Sequence, residues 1–249
     1  MPVHRTPWGD FPNVVVHTNL ARMRAHPAYA EAKEGNLKAA RVVVRELFKA
    51  EAPLPRADYV APVVQLDVRQ HWNALPMALA LQVAERIGAR IVPTIVQKNV
   101  VHHTGADAWQ RVARQPEFTG VVPRGTYVLV DDVVTFGSTL ANLRGHMELH
   151  GGRVVAASTL ASGIFAARLK PDPAVLHSLQ ERFGHELALT TRSLGFPPGC
   201  LTSKEAWFLR GLAQLAGLRG EGTAPACAGE TSVRNDAGAV RSAGLRAGI

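Results

Sequence analysis

Apolar residues recur along the chain in two alternating rhythms. Short runs rich in β-branched residues read as buried strands, and between them lie segments whose apolar residues fall three and four apart, the spacing of an amphipathic helix. Within an arm over residues 1–24, the run Val14-Val15-Val16 predicts either an edge strand or a cover for the core. Pro27 to Ala32 reads as a short helix closed by Gly35, and Asn36 as the N-cap of a helix over 37–49 that carries Leu37, Ala40, Val43, Val44, Leu47 and Phe48 on one face. Pro53 and Pro55 end that segment. Tyr59 to Val64 is the next strand, and its Pro62 suggests an interrupted or edge position. Asn73 then caps a helix with Leu75, Leu79, Val83 and Ile87, stopped by Gly88, and Arg90 to Val96 follows as a strand. After a long polar excursion from Gln97 to Gly125 come a strand over 127–134, a helix from Ser138 to about His150, a Gly151-Gly152 stop and a strand over 154–160. Alternation of this kind predicts an α/β fold with a mostly parallel sheet and right-handed crossovers.

Beyond Lys170 the rhythm becomes purely helical. Val175, Leu176, Leu179 and Phe183 form a stripe ending at Gly184. A Pro197-Pro198-Gly199 turn precedes Thr202 and Glu205, which have the spacing of a capping box, and the helix behind them carries Phe208, Leu209, Leu212 and Leu215. From Arg219 onward Gly, Ala, Ser and Thr dominate, which predicts a disordered tail. The expected organisation is an N-terminal arm with helices over 1–57, a core over 58–165, a helical appendage over 166–218 and the tail over 219–249.

Composition narrows the class. A chain of 249 residues, 47% hydrophobic and 19% charged, can bury a full core. The start is polar and broken by proline, unlike a secretory leader, and no apolar run reaches the ~18 residues of a membrane span. Cys200 and Cys227 are the only cysteines and suggest neither a disulfide framework nor a zinc site. The expectation is a soluble cytoplasmic protein without a membrane partner. The net charge of +8 is compatible with nucleic-acid contact, but Lys and Arg are scattered and aromatics few, so a basic solvated surface is the favoured reading.

The candidate chemistry lies in Tyr127-Val-Leu-Val-Asp131-Asp132-Val-Val-Thr135-Phe136-Gly137-Ser138-Thr139-Leu140. An apolar strand delivers two adjacent carboxylates, and a small hydroxyl-rich loop leads into a helix N-terminus. Backbone N–H groups and the helix dipole suit a phosphate there, while carboxylates accept bonds from sugar hydroxyls or hold Mg²⁺ through water. A P-loop and a dinucleotide fingerprint are absent, and Val133 stands where a dehalogenase-type phosphatase needs its second Asp.

This stretch resembles the phosphoribosyl-pyrophosphate (PRPP) signature of the type I phosphoribosyltransferases. With Asp58 to Val64 and Trp72 to Ala80, the likeness extends over about residues 58–165 and points to the ComF-like branch. It implies a parallel sheet of about five strands flanked by helices, with a variable hood over the site, and Mg²⁺-dependent transfer of ribose 5-phosphate from PRPP to a nitrogen nucleophile, a nucleobase or related heterocycle. By position, Asp131 and Asp132 would hold the ribose hydroxyls and Mg²⁺, mostly through water, and would stabilise the oxocarbenium-like transition state. Thr135, Phe136, Gly137, Ser138 and Thr139 would wrap the 5-phosphate. Arg69, Lys98 and His103 would meet the pyrophosphate, the latter two from a lid, with His102 and Arg111 weaker candidates in the same excursion. The acceptor is not specified, and a homodimer is compatible with the resemblance. Phe136 departs from the usual Thr or Ala, and Thr135 replaces the carboxylate that purine-salvage members often carry, which argues against hypoxanthine or guanine salvage.

Two other readings stand beside this one: a non-catalytic PRPP or nucleotide sensor, and a ComF-like accessory protein in DNA uptake or mobile-element biology. His146 and His150 have the i, i+4 spacing of a zinc pair, but Glu148 is misplaced for His-Glu-x-x-His, so they read as cations favouring the helix dipole. Trp72, Trp109 and Trp207 read as packing residues.

Overall fold

A computed structural model describes residues 3–65, 72–98 and 112–212. In chain order the first half comprises β1 (Val15–Val16), α1 (Leu20–Arg24), α2 (Tyr29–Lys33), α3 (Leu37–Leu47), β2 (Tyr59–Pro62), β3 (Val64–Gln65), α4 (Leu75–Ile87), β4 (Arg90–Ile91) and β5 (Val96–Gln97). The second half comprises β6 (Phe118–Thr119), β7 (Gly125–Val134), α5 (Ser138–Leu149), β8 (Gly152–Ser162), α6 (Pro173–Phe183), α7 (His185–Leu194), a 3₁₀ turn at Pro198–Cys200 and α8 (Ser203–Gly211). Five strands form one all-parallel sheet in the order β1-β8-β7-β2-β4. The expected α/β fold, a parallel sheet flanked by helices with a helical C-terminal appendage, is what the chain adopts.

Alternation along β7 divides the core. Val128 and Val130 face α3 and α4, whereas Tyr127 and Leu129 face α5. The helix stops read from sequence operate as expected. The Asn36 side chain accepts from Ala39 N–H at 3.1 Å, and Gly88 closes α4 in the left-handed conformation at φ 70°.

Three expectations need correction. The run at 90–96 is not one strand: it leaves the main sheet before Pro93, which has no N–H for a ladder, and re-enters at Val96 in a second sheet of order β3-β5-β6. That small sheet includes an antiparallel pair, β5 with β6, inside what reads from sequence as a structureless excursion. Second, of the two positions that Pro62 suggests, interrupted or edge, only the first holds: the run breaks after Pro62 into β2 and β3 of different sheets, but β2 is an interior strand. Val60 O accepts from Val92 on the β4 side and Val63 N donates to Val130 on the β7 side, so Pro62 lacks its N–H toward β4, which has already ended. The appendage, expected to be helical, contains a helix after Gly184 as well, α7. Third, Trp207 is 61% exposed, on the face of α8 opposite the buried Ala206 and Leu209, with the Arg210 guanidinium 4.6 Å over its ring. Trp72 does pack, its indole touching the space where a side chain on Gly35 would go. Arg69, His102, His103, Trp109, Arg111, Leu215, Cys227 and the expected tail lie outside the described residues.

The two ends of the described chain meet. Arg5 and Glu205 are both buried, and the guanidinium grips the carboxylate twice, at 2.6 and 2.8 Å. Arg5 also donates to Asn142 Oδ1 at 2.5 Å, Gln115 Oε1 at 2.8 Å and the Cys200 carbonyl at 3.1 Å, and it lies 3.8 Å over the Phe196 ring. Burial alone would raise the Glu205 pKa, but Arg5, the Ser138 hydroxyl and the Thr202 N–H together hold it below the ordinary value. Close approach of the arm to α5 needs Gly145, where a Cβ would stand 2.0 Å from the His4 carbonyl oxygen.

Replacing Arg5 by Met strands a buried carboxylate, and the expected cost is about 3–5 kcal/mol in urea unfolding at neutral pH. A second prediction concerns the edge strand. His17, next to β1, is 1% exposed, accepts at Nδ1 from Lys49 N–H, donates at Nε2 to Ser158 Oγ and stacks on Phe48. Burial, with help from Lys49 and Arg86, lowers its pKa to about 4. The folded state therefore binds fewer protons than the unfolded one. Stability is fully present above the unfolded value of 6.5 and falls as pH drops toward 4, by up to ~3 kcal/mol. Urea midpoints across that window should fall more steeply for wild type than for His17→Gln.

Candidate functional site

β7 runs on past its neighbour. It pairs with β2 only as far as Pro62↔Val130, whereas its pairing with β8 continues to Val134↔Ser162. Successive strand residues face opposite ways, so Asp131 follows the α5 face and Asp132 the α4 face. Because β2 has ended, the free edge of β7 lets both carboxylates reach one cleft of about 600 Å³. The chain closes the far side by a bond from Gly163 N–H to Val134 O at 2.8 Å.

The loop after the acids turns at Gly137, which N-caps α5 in the left-handed conformation at φ 82°. A side chain there would also collide with Leu169 Cδ2 at 2.5 Å. No side chain caps α5, so its first N–H groups receive no competing side-chain acceptor from the cap position. Thr135, Phe136, Gly137, Ser138 and Thr139 all line the cleft with Asp131 and Asp132. The sequence-predicted acids and loop are thus brought together.

The loop is held from behind by the appendage. Ser138 is buried, and its hydroxyl donates to Glu205 Oε1 at 2.6 Å instead of being left for a ligand. Thr202 Oγ1 donates to the Phe136 carbonyl at 2.6 Å, and the Phe136 ring meets Phe208 edge-on at 6.1 Å. Phe136 therefore belongs to the apolar cluster of α6, α7 and α8. The bulky residue in a small-residue loop is a packing bridge.

The front wall is one that sequence reasoning missed. Leu20, Arg24, Tyr29 and Lys33 of α1 and α2 line the cleft, so a hood comes from the N-terminal helices. Lys33 Nζ lies 2.9 Å from Asp132 Oδ2. Burial works against the ammonium, but Asp132, with Tyr29 and Asp131, outweighs it and raises its pKa. Asp131 goes the other way to an ordinary carboxylate. Burial and the neighbouring Asp132 push its pKa well up, against the pull of the Asp132 N–H and of Lys33. A further cation beside the pair would favour the ionised form of both. Nothing in sequence signals Lys33, which stands 99 positions from its partner. Glu205 was legible as a capping-box residue, and the box forms, but its second bond to Ser138 was not.

Other candidates fall elsewhere. Lys98 is exposed at the end of β5, does not line the cleft, and sits near His146, whose pKa is lowered by burial first and by His150 and Lys98 after it. His150 Nδ1 bonds the His146 carbonyl at 2.7 Å, satisfying the end of α5. Among the described residues, no group of three or more His, Cys, Asp or Glu side chains could hold a metal, and no helix is long and apolar enough to cross a membrane. A metal at the acids would rest on two carboxylates, with water and ligand oxygens completing its shell. That donor set suits Mg²⁺.

Comparison with known proteins adds relatives of greater length. No family model matches the chain. It is 34% identical to protein TraN of Escherichia coli over 227 residues, covering 86% of this chain and 50% of that protein. It is 30% identical to an uncharacterized protein of Haemophilus influenzae over 151 residues, covering 57% of this chain and 34% of the relative. The chain spans half or less of the curated relatives it matches. Similar solved structures include a purine phosphoribosyltransferase from Pyrococcus horikoshii, at 16% identity and TM-score 0.30, covering 59% of this chain and 78% of that one. An adenine phosphoribosyltransferase matches at 14% identity and TM-score 0.31, over 59% of this chain and 76% of that one. The UMP synthase of Leishmania donovani matches at 18% identity and TM-score 0.29, over 76% of this chain and 34% of that one. The function has to be argued from the cleft.

Truncating the packing bridge tests the loop. Phe136→Ala is expected to cost about 1–3 kcal/mol and lower the thermal midpoint, because it removes a half-buried ring from the appendage contact. A midpoint equal to wild type would mean that the ring does not hold the appendage.

Proposed function

We propose that the cleft binds PRPP together with Mg²⁺, and that the chain is a phosphoribosyltransferase moving ribose 5-phosphate onto a nitrogen nucleophile, a nucleobase or related heterocycle. What carries this reading is one juxtaposition: the side-chain-uncapped N-terminus of α5, turned by Gly137, faces the same cleft as Asp131 and Asp132.

The chemistry follows from those groups. The N–H groups of the first turn of α5 and the Thr139 hydroxyl bind the 5-phosphate, an anion at the positive end of a helix. With the sugar anchored there, Asp131 and Asp132 lie upstream to accept bonds from its hydroxyls. As the C1–O bond to pyrophosphate breaks, positive charge grows on the ring, and the two carboxylates stabilise it electrostatically. Bound Mg²⁺ would supply charge for the departing pyrophosphate. The nitrogen acceptor then bonds to C1 and loses its proton to solvent or a neighbouring base. Arg24, Tyr29 and Lys33, on the wall opposite the loop, are placed to shape the acceptor and pyrophosphate side.

A binding protein without turnover is the second reading. Two side chains expected to serve the ligand are already engaged, Asp132 by Lys33 and Ser138 by Glu205. Calorimetric titration separates the outcomes. Wild type should bind PRPP with micromolar affinity, about −8 kcal/mol, only with Mg²⁺ present, and Asp131→Asn/Asp132→Asn should lose it while staying folded. Pyrophosphate release on adding nucleobases would then distinguish a transferase from a sensor. Retained PRPP affinity in the double variant would sink the site assignment.

A further inference from the structure

Lys33 is the feature of the cleft that the resemblance does not account for. It closes α2, a helix whose backbone is fixed: Ala32 is fully buried, and its carbonyl accepts from Ala74 N–H at 3.1 Å at the start of α4. The helix ends against Trp72 at Gly35, where φ is 99° and a Cβ would lie 3.0 Å from the indole. The long Lys33 side chain is the free part. It is 40% exposed, yet its ammonium reaches Asp132, whose side chain is 11% exposed. The acidic pair thus carries its own cation, delivered from a rigid base on a flexible stem.

Building on the reading of the acids as a metal-binding pair, we infer that Lys33 is an internal counter-cation that a divalent metal must displace from Asp132, and that the displaced ammonium stays in the cleft to meet the anionic ligand. Electrostatics support both halves. Two cations competing for one carboxylate oxygen repel each other, so a metal arriving at the pair loses the place that Lys33 holds. Once it leaves Asp132, the ammonium needs only a rotamer change, since α2 is pinned. With Asp131 and Asp132 engaged by the metal, an anionic ligand in the cleft offers the displaced ammonium a new partner, and Arg24 lines the same cleft. The acids therefore have a partly compensated resting state, in which the Lys33 ammonium offsets the charge of Asp132 when nothing is bound.

The two halves predict opposite signs, which a merely structural ion pair would not give. Lys33→Met keeps the apolar stem and removes the charge. Binding of Mn²⁺ alone, followed by the loss of the free-ion electron paramagnetic resonance signal, should tighten up to about fivefold, the upper end for a partly exposed pair. Binding of PRPP in the presence of Mg²⁺ should weaken in the same variant. Lys33→Arg should return Mn²⁺ affinity toward wild type. Unchanged or weaker Mn²⁺ binding in Lys33→Met overturns the competition, and unchanged PRPP binding overturns the second role. In both cases the acidic pair stands as the metal site provided Asp131→Asn/Asp132→Asn abolishes Mn²⁺ binding. If wild type and Lys33→Met both bind no Mn²⁺, or bind it regardless of the acids, the metal reading itself falls and takes the inference with it.

Discussion

The carboxylate of Glu205 accepts four hydrogen bonds in complete burial, two from Arg5, one from the Ser138 hydroxyl and one from the Thr202 N–H. Removing two charges from water is costly, and such a pair is tolerable only when each lone pair is matched. Here the matching groups come from the start of the chain, from the first turn of α5 and from the cap of α8. The pair therefore ties three segments that are remote in sequence, and none of them can shift without leaving a buried charge short of a partner. Buried networks of this kind contribute definition more than net stability.

That constraint explains how the loop is built. A phosphate-binding loop works best if its N–H groups are already aimed before the ligand arrives. The hydroxyl of Ser138, the carbonyl of Phe136 and the ring of Phe136 are all engaged by the appendage. The Ser138 and Phe136 side chains thus serve as scaffolding, and under the proposed reading the first N–H groups of α5 and the Thr139 hydroxyl are left for the phosphate. The N-terminal helices do the complementary task at the front, bringing cations toward the acids. The fold thus encloses one short stretch between its two chain ends, with the appendage behind it and the arm before it.

What sequence could and could not reveal follows the range of the interactions. The Asn36 cap, the Gly88 stop, the capping box of Thr202 and Glu205 and the strand–acid–loop–helix unit are all settled within a few residues, and each was legible. The parallel sheet was legible too, because β and α rhythms alternate. The second sheet was not, since β3, β5 and β6 are two residues each and too short to show a period. Pro62 looked like an edge marker because parity decides its role, and parity depends on where β4 ends. Lys33 and Arg5 were invisible for a different reason. A single cation in a polar stretch has no local signature, and its partner is 99 residues away in one case and 200 in the other.

Phe136 shows why a departure from a pattern should be read against the whole structure. Taken alone, a ring where a small residue is usual suggests a blocked or degenerate site. In the fold the ring meets Phe208 edge-on, and the loop still turns at Gly137 with no side chain capping α5. Phe136 grips the appendage through Phe208, and Ser138 does so through Glu205. Neither contact uses the main-chain N–H groups at the start of α5, which substitution at either position does not remove. A loop read by backbone tolerates changes in its side chains as long as its curvature is held, and the Arg5–Glu205 network, acting through Ser138 and Thr202, is what holds that curvature.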